Sequence, residues 1–446
     1  MSALNDMIKR NLQLAPVNAV ASGDYSPTSG LPLIKFDISS ADMPTLLDLS
    51  NLRISGNITY FVGTNPAVPT QVANNITSFR DCYTGDFSNC IDHVNIASKR
   101  TASSIERINN YARMVPSIVT GVHGQPELNC QLFHQSGACS NNYIGRNLVI
   151  AQEANLGKPF CERLYCGLLN SGQDIDISVN GTGGLTIEIL LKPNASTVFG
   201  AGAAAAQVRY KVSNLLLTVP SYELSGATAQ SAMTSSRAFT FNSITSVFQT
   251  INSSASVIAL TPGLTSVSSV FMNAINTNEI GDQRFNNARL SNMGIINEIK
   301  YSRNGMLHPN QYRLDSDVTN NNLISALNNQ TMEGRAMSDS NYLQAVATQP
   351  IGSVGKCMLA YNTYESSIKN RAQTQNSGGD ATGTVSGIGV LFDKYGSGEN
   401  LSQTVFSVEM DNVSITGTAA TTIGLYMYFL NKNTLIMSPQ GLSVQK

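Results

Sequence analysis

The sequence predicts an all-β protein built from two sheet sandwiches in tandem. Charged residues make up only 13% of the 446 residues, against roughly 25% in an average soluble domain. Asn, Ser, Thr and Gly take their place, and these residues suit strands joined by polar turns better than long exposed helices. Short apolar stretches also follow one another without regularly alternating helices, which argues against a doubly wound α/β fold.

The strand pattern occurs twice, once on each side of a small, polar segment at 225–236. In the first half, strands are predicted at 31–39, 45–63, 127–133, 147–152, 164–169, 174–179, 185–192 and 207–217. In the second half, they are predicted at 237–248, 256–263, 265–275, 388–395, 404–416, 423–430 and 434–438. The strands at 174–179 and 185–192 are expected to pair as a hairpin, and so are the two within 424–437.

This pattern divides the chain into four parts: an N-terminal arm at 1–30, a first sandwich at 31–224, a linker at 225–236 and a second sandwich at 237–446. Each sandwich is long enough for eight strands with helical and loop insertions. One insertion is predicted as a helix over 94–115, where apolar residues recur near a 3.6-residue spacing and Pro116 follows. A second helical region is predicted within 312–346.

The N-terminal arm is predicted to contain a short amphipathic helix. On such a helix Leu4, Met7, Ile8 and Leu12 lie on one face, with Lys9 and Arg10 elsewhere. No secretory signal and no apolar run of bilayer-spanning length is predicted, so we expect a soluble protein that at most touches a membrane surface here. A frayed terminus is the alternative interpretation of the same residues.

The composition argues against several classes of function. The formal net charge is −1 with no basic half, which argues against wrapping of nucleic acid. There are only four His residues and no G-x-S-x-G motif around a Ser, so neither an enzyme nor a cofactor site is predicted. Asp174 and Asp176 lie on one strand face and fit a solvent-facing hairpin better than a paired-carboxylate site.

Six of the seven cysteines lie between residues 82 and 166. Their spacing lacks the close C-x₂₋₄-C pairs that zinc sites use, so no metal site is predicted. Free thiols, in a protein assembled in a reducing cell interior, are the favoured interpretation, and disulfides between sequence neighbours are the alternative. The candidate pairs are Cys82–Cys90, Cys130–Cys139 and Cys161–Cys166.

Three stretches resemble a known family. They are VRYKVSNLLLT (208–218), SVIALTPGLTSVSSVFMNAI (256–275), and FDKYGSGENLSQTVFSVEMDNVSIT with LYMYFLNKNTLIMSPQGLSV (392–416 and 425–444). In these stretches the sequence resembles the double jelly-roll major capsid proteins of double-stranded DNA viruses, of the polinton-like virus, virophage and large nucleocytoplasmic DNA virus type. The resemblance covers most of residues 30–446 in the overall arrangement of the predicted elements, and its motifs are diffuse.

The resemblance implies a structural capsid protein whose homotrimers form pseudo-hexameric capsomers that tile an icosahedral virion shell. It also implies contacts with neighbouring capsomers and penton or minor capsid proteins, and an N-terminal segment that bridges capsomers or touches an internal membrane. The competing hypothesis is a carbohydrate-binding or adhesive β-sandwich of a spike or surface protein. That hypothesis predicts aromatic platforms, yet the chain has no Trp.

Overall fold

The structure, a computed structural model, is almost entirely β-strand in the part of the chain that it describes. Within that part, helical geometry is found in two 3₁₀ turns, Leu49–Asn51 and Ser88–Cys90, in one helical turn at 111–114 and at residue 277. The described residues are 7–18, 23–27, 31–40, 45–62, 70–71, 79–81, 87–114, 158–178, 181–192, 198–200, 208–224, 237–251, 256–277, 298–307, 388–391, 398–411 and 423–445.

The strands fall into two groups along the chain, which we call the first lobe (7–224) and the second lobe (237–445). The first lobe contains β1 (Met7–Leu14), β2 (Leu33–Ile38), β3 (Thr45–Asp48), β4 (Arg53–Val62), β5 (Thr70–Gln71), β6 (Phe79–Asp81), β7 (Ile91–Ser98), β8 (Ser104–Asn109), β9 (Lys158–Glu162), β10 (Asp174–Asp176), β11 (Leu185–Leu191), β12 (Val198–Gly200) and β13 (Val208–Leu224). The second lobe contains β14 (Arg237–Ile251), β15 (Ser256–Leu260), β16 (Val267–Asn276), β17 (Glu298–Arg303), β18 (Met306–Leu307), β19 (Ile388–Leu391), β20 (Phe406–Asp411), β21 (Ile423–Ser438) and β22 (Gly441–Gln445).

Each lobe is organised around one long strand. In the first lobe, β13 pairs with β4, β3 and β1 in a seven-stranded sheet of order β10-β3-β13-β4-β5, to which β9 is added on β4. In the second lobe, β21 pairs with β14, β16 and β22 in a five-stranded sheet. The four-stranded sheets β2-β11-β7-β8 and β15-β20-β17-β18 belong to the first and second lobe respectively, and β12 pairs with β6. All of these strand pairs are antiparallel, and none joins one lobe to the other.

Alternating burial explains why these sequences form strands. In β2, Ile34, Phe36 and Ile38 are fully buried while the residues between them are partly exposed. The same alternation in β11 buries Ile187 and Ile189 on the core face. Successive side chains of a strand point to opposite faces, so this pattern places one face on the core. Burying each such side chain contributes about 1.5–3 kcal/mol.

The helix predicted over 94–115 is wrong. The segment forms the antiparallel pair β7 and β8, joined by a tight turn in which Ala102 has a positive φ of 55°. The apolar residues that suggested a helix also satisfy a strand period, because Ile96 pairs with Glu106 and Val94 pairs with Ile108 in the register. Pairing with β11 on the other side of β7 then favours the strand. The helical region predicted at 312–346 lies outside the described residues.

The two predicted hairpins are also wrong. β10 pairs with β3 whereas β11 pairs with β2 and β7, so the Gly-rich turn between them crosses from one sheet to the other. Residues 423–438 form one continuous strand, β21, because Asn431 and Asn433 are buried and Lys432 pairs in register with Asn242. The side-chain amide of Asn431 donates to Asn433 Oδ1 at 2.7 Å, which satisfies these buried polar groups within the strand.

The amphipathic helix predicted for the N-terminus is wrong where the structure describes it. Residues Met7–Leu14 form β1, which pairs antiparallel with the last part of β13, from Met7 opposite Leu224 to Leu14 opposite Leu217. Leu12 and Leu14 pack against the core, and Asn11 and Gln13 between them are exposed. The unpaired backbone of the β13 edge favours an added strand over an isolated helical turn.

The register of β11 gives a first testable prediction. Ile187→Ala should lower the free energy of unfolding by about 2–5 kcal/mol, because it leaves a cavity between the buried partners Phe36 and Ile96. Glu188→Ala, the next residue and on the opposite face, should cost less than about 1 kcal/mol, because its ion pair with Lys35 is half-exposed. Denaturant titration of both variants measures the difference, and equal losses would contradict the register.

Candidate functional site

The junction between the two lobes is centred on the buried carboxylate of Glu106 in β8. Its Oε1 accepts hydrogen bonds from the backbone N–H groups of Gly167 at 3.0 Å and Ile244 at 2.9 Å. Its Oε2 accepts from Leu168 N–H at 2.9 Å. Gly167 and Leu168 belong to the first lobe, and Ile244 lies in β14 of the second lobe. One side chain therefore connects the backbones of both lobes.

Burial raises the pKa of the Glu106 carboxyl above its usual value, because the charged form is removed from water. The backbone N–H groups of Leu168, Ile244 and Gly167, together with the side chain of Ser243, oppose this rise. Hydrogen bonds to a buried charged group contribute more than neutral ones, and removing one side of such a pair leaves the other side unsatisfied. The carboxylate is therefore a strong and specific connection between the lobes.

Further hydrogen bonds join the lobes beside Glu106. The backbone N–H of Asn109 donates to Ser246 Oγ at 3.0 Å, and the hydroxyl of Tyr428 donates to the backbone carbonyl of Asn110 at 3.0 Å. Tyr428 is fully buried, and burial raises its pKa well above the usual value. Its hydroxyl therefore acts as a neutral donor at the junction.

The turn between β7 and β8 also contacts the C-terminal hairpin of the second lobe. Ser98 Oγ accepts from Leu442 N–H at 3.3 Å, and Ser103 Oγ donates to the carbonyl of Leu442 at 3.3 Å. The Arg100 guanidinium donates to the carbonyl of Pro439 and, at 3.3 Å, to that of Gly181. The side chain of Leu442 is fully buried in a cluster that contains core residues of both lobes.

Glycine at position 167 allows the two lobes to approach closely. A Cβ atom at this position would lie 1.6 Å from the backbone oxygen of Asn242 and 2.9 Å from Glu106 Oε1. Neither a backbone atom nor a hydrogen-bonded carboxylate can move away without separating the lobes. The absence of a side chain at Gly167 is thus a requirement of the junction.

The N-terminal residues predicted to make intercapsomer or membrane contacts lie along β1. Ile8, Lys9 and Arg10 are exposed, and Arg10 forms an ion pair of 3.0 Å with Glu223 on β13. Leu12 is partly buried and packs against the core. The backbone of Met7 belongs to the strand, and Leu4 lies outside the described residues. The predicted contact role of these residues stays a prediction.

The structure describes three of the six clustered cysteines, namely Cys90, Cys161 and Cys166. Cys90 and Cys166 are buried and Cys161 is half-buried, so the alternative pair Cys161–Cys166 is not formed in this structure. Burial raises the pKa of the Cys166 thiol well above its usual value, with a smaller contribution from Glu106. Cys82, Cys130 and Cys139 lie outside the described residues, and their pairing stays a prediction.

Among the described residues, no cluster of three or more His, Cys, Asp or Glu side chains is arranged to hold a metal ion. Asp174 is exposed while Asp176 is buried and accepts from Ser178 N–H at 2.9 Å, so the predicted common solvent face is wrong. Within the same part of the chain, no helix is long and apolar enough to span a bilayer.

Sequence reasoning missed the two buried carboxylates that organise the first lobe. Glu106 was placed on a predicted helix, and Glu162 was not singled out. Glu162 accepts from the N–H groups of Phe87 and Ser88, both at 2.9 Å, and from the Ser88 hydroxyl at 2.6 Å. The available signal is an acidic residue with an apolar residue before it and an Arg and then an apolar residue after it, in a chain with few charges, as in SIERIN and PFCERL.

Comparison with solved structures identifies the fold. The PBCV-1 virus capsid gives a TM-score of 0.57 at 9% identity, covering 99% of this chain and 97% of that chain. A chain of the Sputnik virophage gives 0.52 at 11% identity, covering 98% and 88%. The mavirus major capsid protein gives 0.50 at 9% identity, covering 98% and 90%. The chain matches no protein-family model and no curated protein sequence.

The likeness extends over nearly the whole of each chain, so it applies to both lobes and not to one sandwich alone. The predicted fold class, an all-β chain of two tandem jelly rolls, is confirmed. The resemblance to double jelly-roll major capsid proteins is likewise confirmed at the level of the fold, at sequence identities of 9–11%.

The Glu106 connection gives a second prediction. Glu106→Gln should destabilise the protein by about 1–3 kcal/mol, because an amide NH₂ in place of one carboxylate oxygen faces a backbone N–H donor. Glu188→Gln on β11 is the matched control and should change stability little. Thermal or denaturant unfolding measures both, and equal effects would contradict the connecting role.

The difference in stability between wild type and the Glu106→Gln variant should depend on pH with a definite sign. The pKa of Glu106 is raised in the folded state, so the folded state binds a proton more readily than the unfolded state does. As the pH falls from the raised pKa of the folded state to the ordinary glutamate pKa of 4.5, wild type gains stability that the Gln variant cannot gain. The difference between the two proteins should therefore grow over this window, and a shrinking difference would contradict it.

Proposed function

We propose that this chain is a structural major capsid protein whose homotrimers form pseudo-hexameric capsomers of an icosahedral virion shell. The observation that carries the proposal is the likeness, over nearly the full length of each chain, to the PBCV-1 capsid and to the mavirus major capsid protein. In this role the protein is located in the virion, acts without catalysis or a cofactor, and is assembled in the interior of the host cell.

The two-lobed structure supports the trimeric part of the proposal. Every strand pair that the structure describes lies within one lobe, and each lobe has its own long organising strand. Three such chains around a threefold axis present six similar lobes, which approximate a hexagon and tile a facet. We place the boundary between the two jelly rolls at 225–236, with an N-terminal arm at 1–30, a first jelly roll at 31–224 and a second at 237–446.

The exposed edge of β1 supports a contact role for the N-terminal arm. β1 pairs with β13 on one side, and Ile8 on this strand is 57% exposed next to the cations Lys9 and Arg10. An edge strand with an exposed apolar residue is a ready surface for a second chain. We assign this edge to contacts between neighbouring capsomers; penton or minor capsid proteins and an internal membrane are the other partners of the proposed shell.

The trimer is tested directly on the expressed full-length chain. Light scattering after size exclusion should give the mass of three chains, and negative-stain microscopy should show hexagonal blocks or shells. A monomer at high concentration that forms no assembly would contradict the proposal. Isolated monomers that bind glycans would support the competing adhesive function instead.

The contact role of β1 is tested separately with a surface variant. Ile8→Lys should leave the unfolding midpoint and the trimer unchanged, because the side chain is exposed, but should reduce the yield of assembled shells several-fold by placing an extra charge in the contact. Val17→Lys is the matched control, since Val17 is 54% exposed and lies outside β1. Equal shell yields for the two variants and wild type would reject the contact role while leaving the trimer intact.

A further inference from the structure

A cavity of about 470 Å³ opens at the junction between the two lobes. The first lobe contributes residues from 163–171 to its wall, and the second lobe contributes residues of β14 and β21. Its size is within the range of about 300–1,000 Å³ that is usual for pockets that bind small molecules. Because Gly167 and Ile244 line it and also bind Glu106, the cavity lies directly beside the connection between the lobes.

Two cations line the cavity, Arg163 from the first lobe and Lys432 from the second. No Asp or Glu is among the described residues of its wall, and the carboxylate of Glu106 lies behind that wall, bound to Gly167 and Ile244. Cys166 also lines it, and burial of that thiol raises its pKa well above the usual value, so it adds no negative charge. In a chain in which only 13% of the residues are charged, one cavity thus has two cationic side chains in its wall.

The guanidinium of Arg163 has an unsatisfied donor. Its Nε atom is buried and has no hydrogen-bond partner within the part of the chain that the structure describes. Arg163 also lies close enough to Arg53 to contribute, after burial, to the lowered pKa of that second guanidinium. A buried donor without a partner, next to a like charge, is costly unless an anion or another acceptor reaches it.

The remainder of the wall combines apolar and hydrogen-bonding groups. Phe241, Ile244 and Leu430 provide an apolar surface, and Asn170 and Thr240 provide polar side chains near the opening. A bare inorganic anion would satisfy the cations and leave the apolar wall in contact with water. A ligand with a carboxylate at one end and an apolar body would match both surfaces.

We propose that this cavity binds a small organic carboxylate with an apolar body, whose anionic group lies between Arg163 and Lys432. The ligand contacts both lobes at once, so it fixes their relative position and stabilises the folded chain by an amount that rises with the logarithm of its concentration above Kd. This site is independent of the capsid assignment, since it depends only on groups within one chain.

The experiment uses the full chain and octanoate below its micelle-forming concentration as the probe. Titration calorimetry should show saturable binding with one site per chain, and octanoate should raise the Tm. Two controls test the two parts of the ligand: 1-octanol has the same length but no charge, and inorganic phosphate is an anion without an apolar body. Each should bind at least about tenfold more weakly than octanoate. Equal binding of either compound, or no saturable binding of octanoate, would overturn the proposal.

Variants locate the site. Arg163→Gln and Lys432→Gln should each weaken octanoate binding about tenfold or more, the usual effect of losing one charge-assisted hydrogen bond. Arg163→Lys keeps the charge and should retain part of the affinity, which separates recognition from a folding defect. Arg237→Gln, the same change at an exposed position of β14, is the control and should bind like wild type. Wild-type affinity in both Gln variants would overturn the proposal.

Discussion

The structure depends on one carboxylate that is buried where the two jelly rolls meet. Without Glu106, the N–H groups of Gly167, Leu168 and Ile244 would be left as donors without an acceptor in a water-poor junction. Among the described residues, no strand pair joins the lobes, so the junction relies on side chains. Glu106 accepts three backbone hydrogen bonds there, two from the first lobe and one from the second.

The strands of this chain were predictable where a long segment has one clear face. β13 and β14 were expected from alternating or continuous apolar residues. β14 is present with a minor change of boundary, whereas β13 continues seven residues past its predicted end at 217, through Pro220 to Leu224. β2 and β11 were expected for the same reason. In each of these segments the local pattern and the tertiary environment agree, because one face meets a core that the pattern itself defines.

The errors arose where the pairing partner is distant in sequence. Ile96, Ile105 and Ile108 fit a helical spacing as well as a strand spacing, and pairing with β11, which begins at Leu185, determines the outcome. The N-terminal segment pairs with residues more than 200 positions away, so no local pattern could predict its conformation. The Glu106 site escaped prediction for the same reason: its three donors come from two other segments, one of them in the other lobe.

In the proposed capsid role, two jelly rolls need a rigid angle between them, since an error in that angle would repeat at every lobe of the proposed pseudo-hexagonal block. Hydrophobic contact alone is non-directional and permits sliding, whereas hydrogen bonds to fixed backbone groups do not. Glu106 fixes one point of the junction, and the contacts of Ser98 and Ser103 with Leu442 fix a second point. Two separate points of attachment restrict rotation as well as translation. The cavity beside Glu106 is lined by residues of both lobes that the junction already holds in place. It is therefore the place where a bound anion would act most directly on the angle between the lobes.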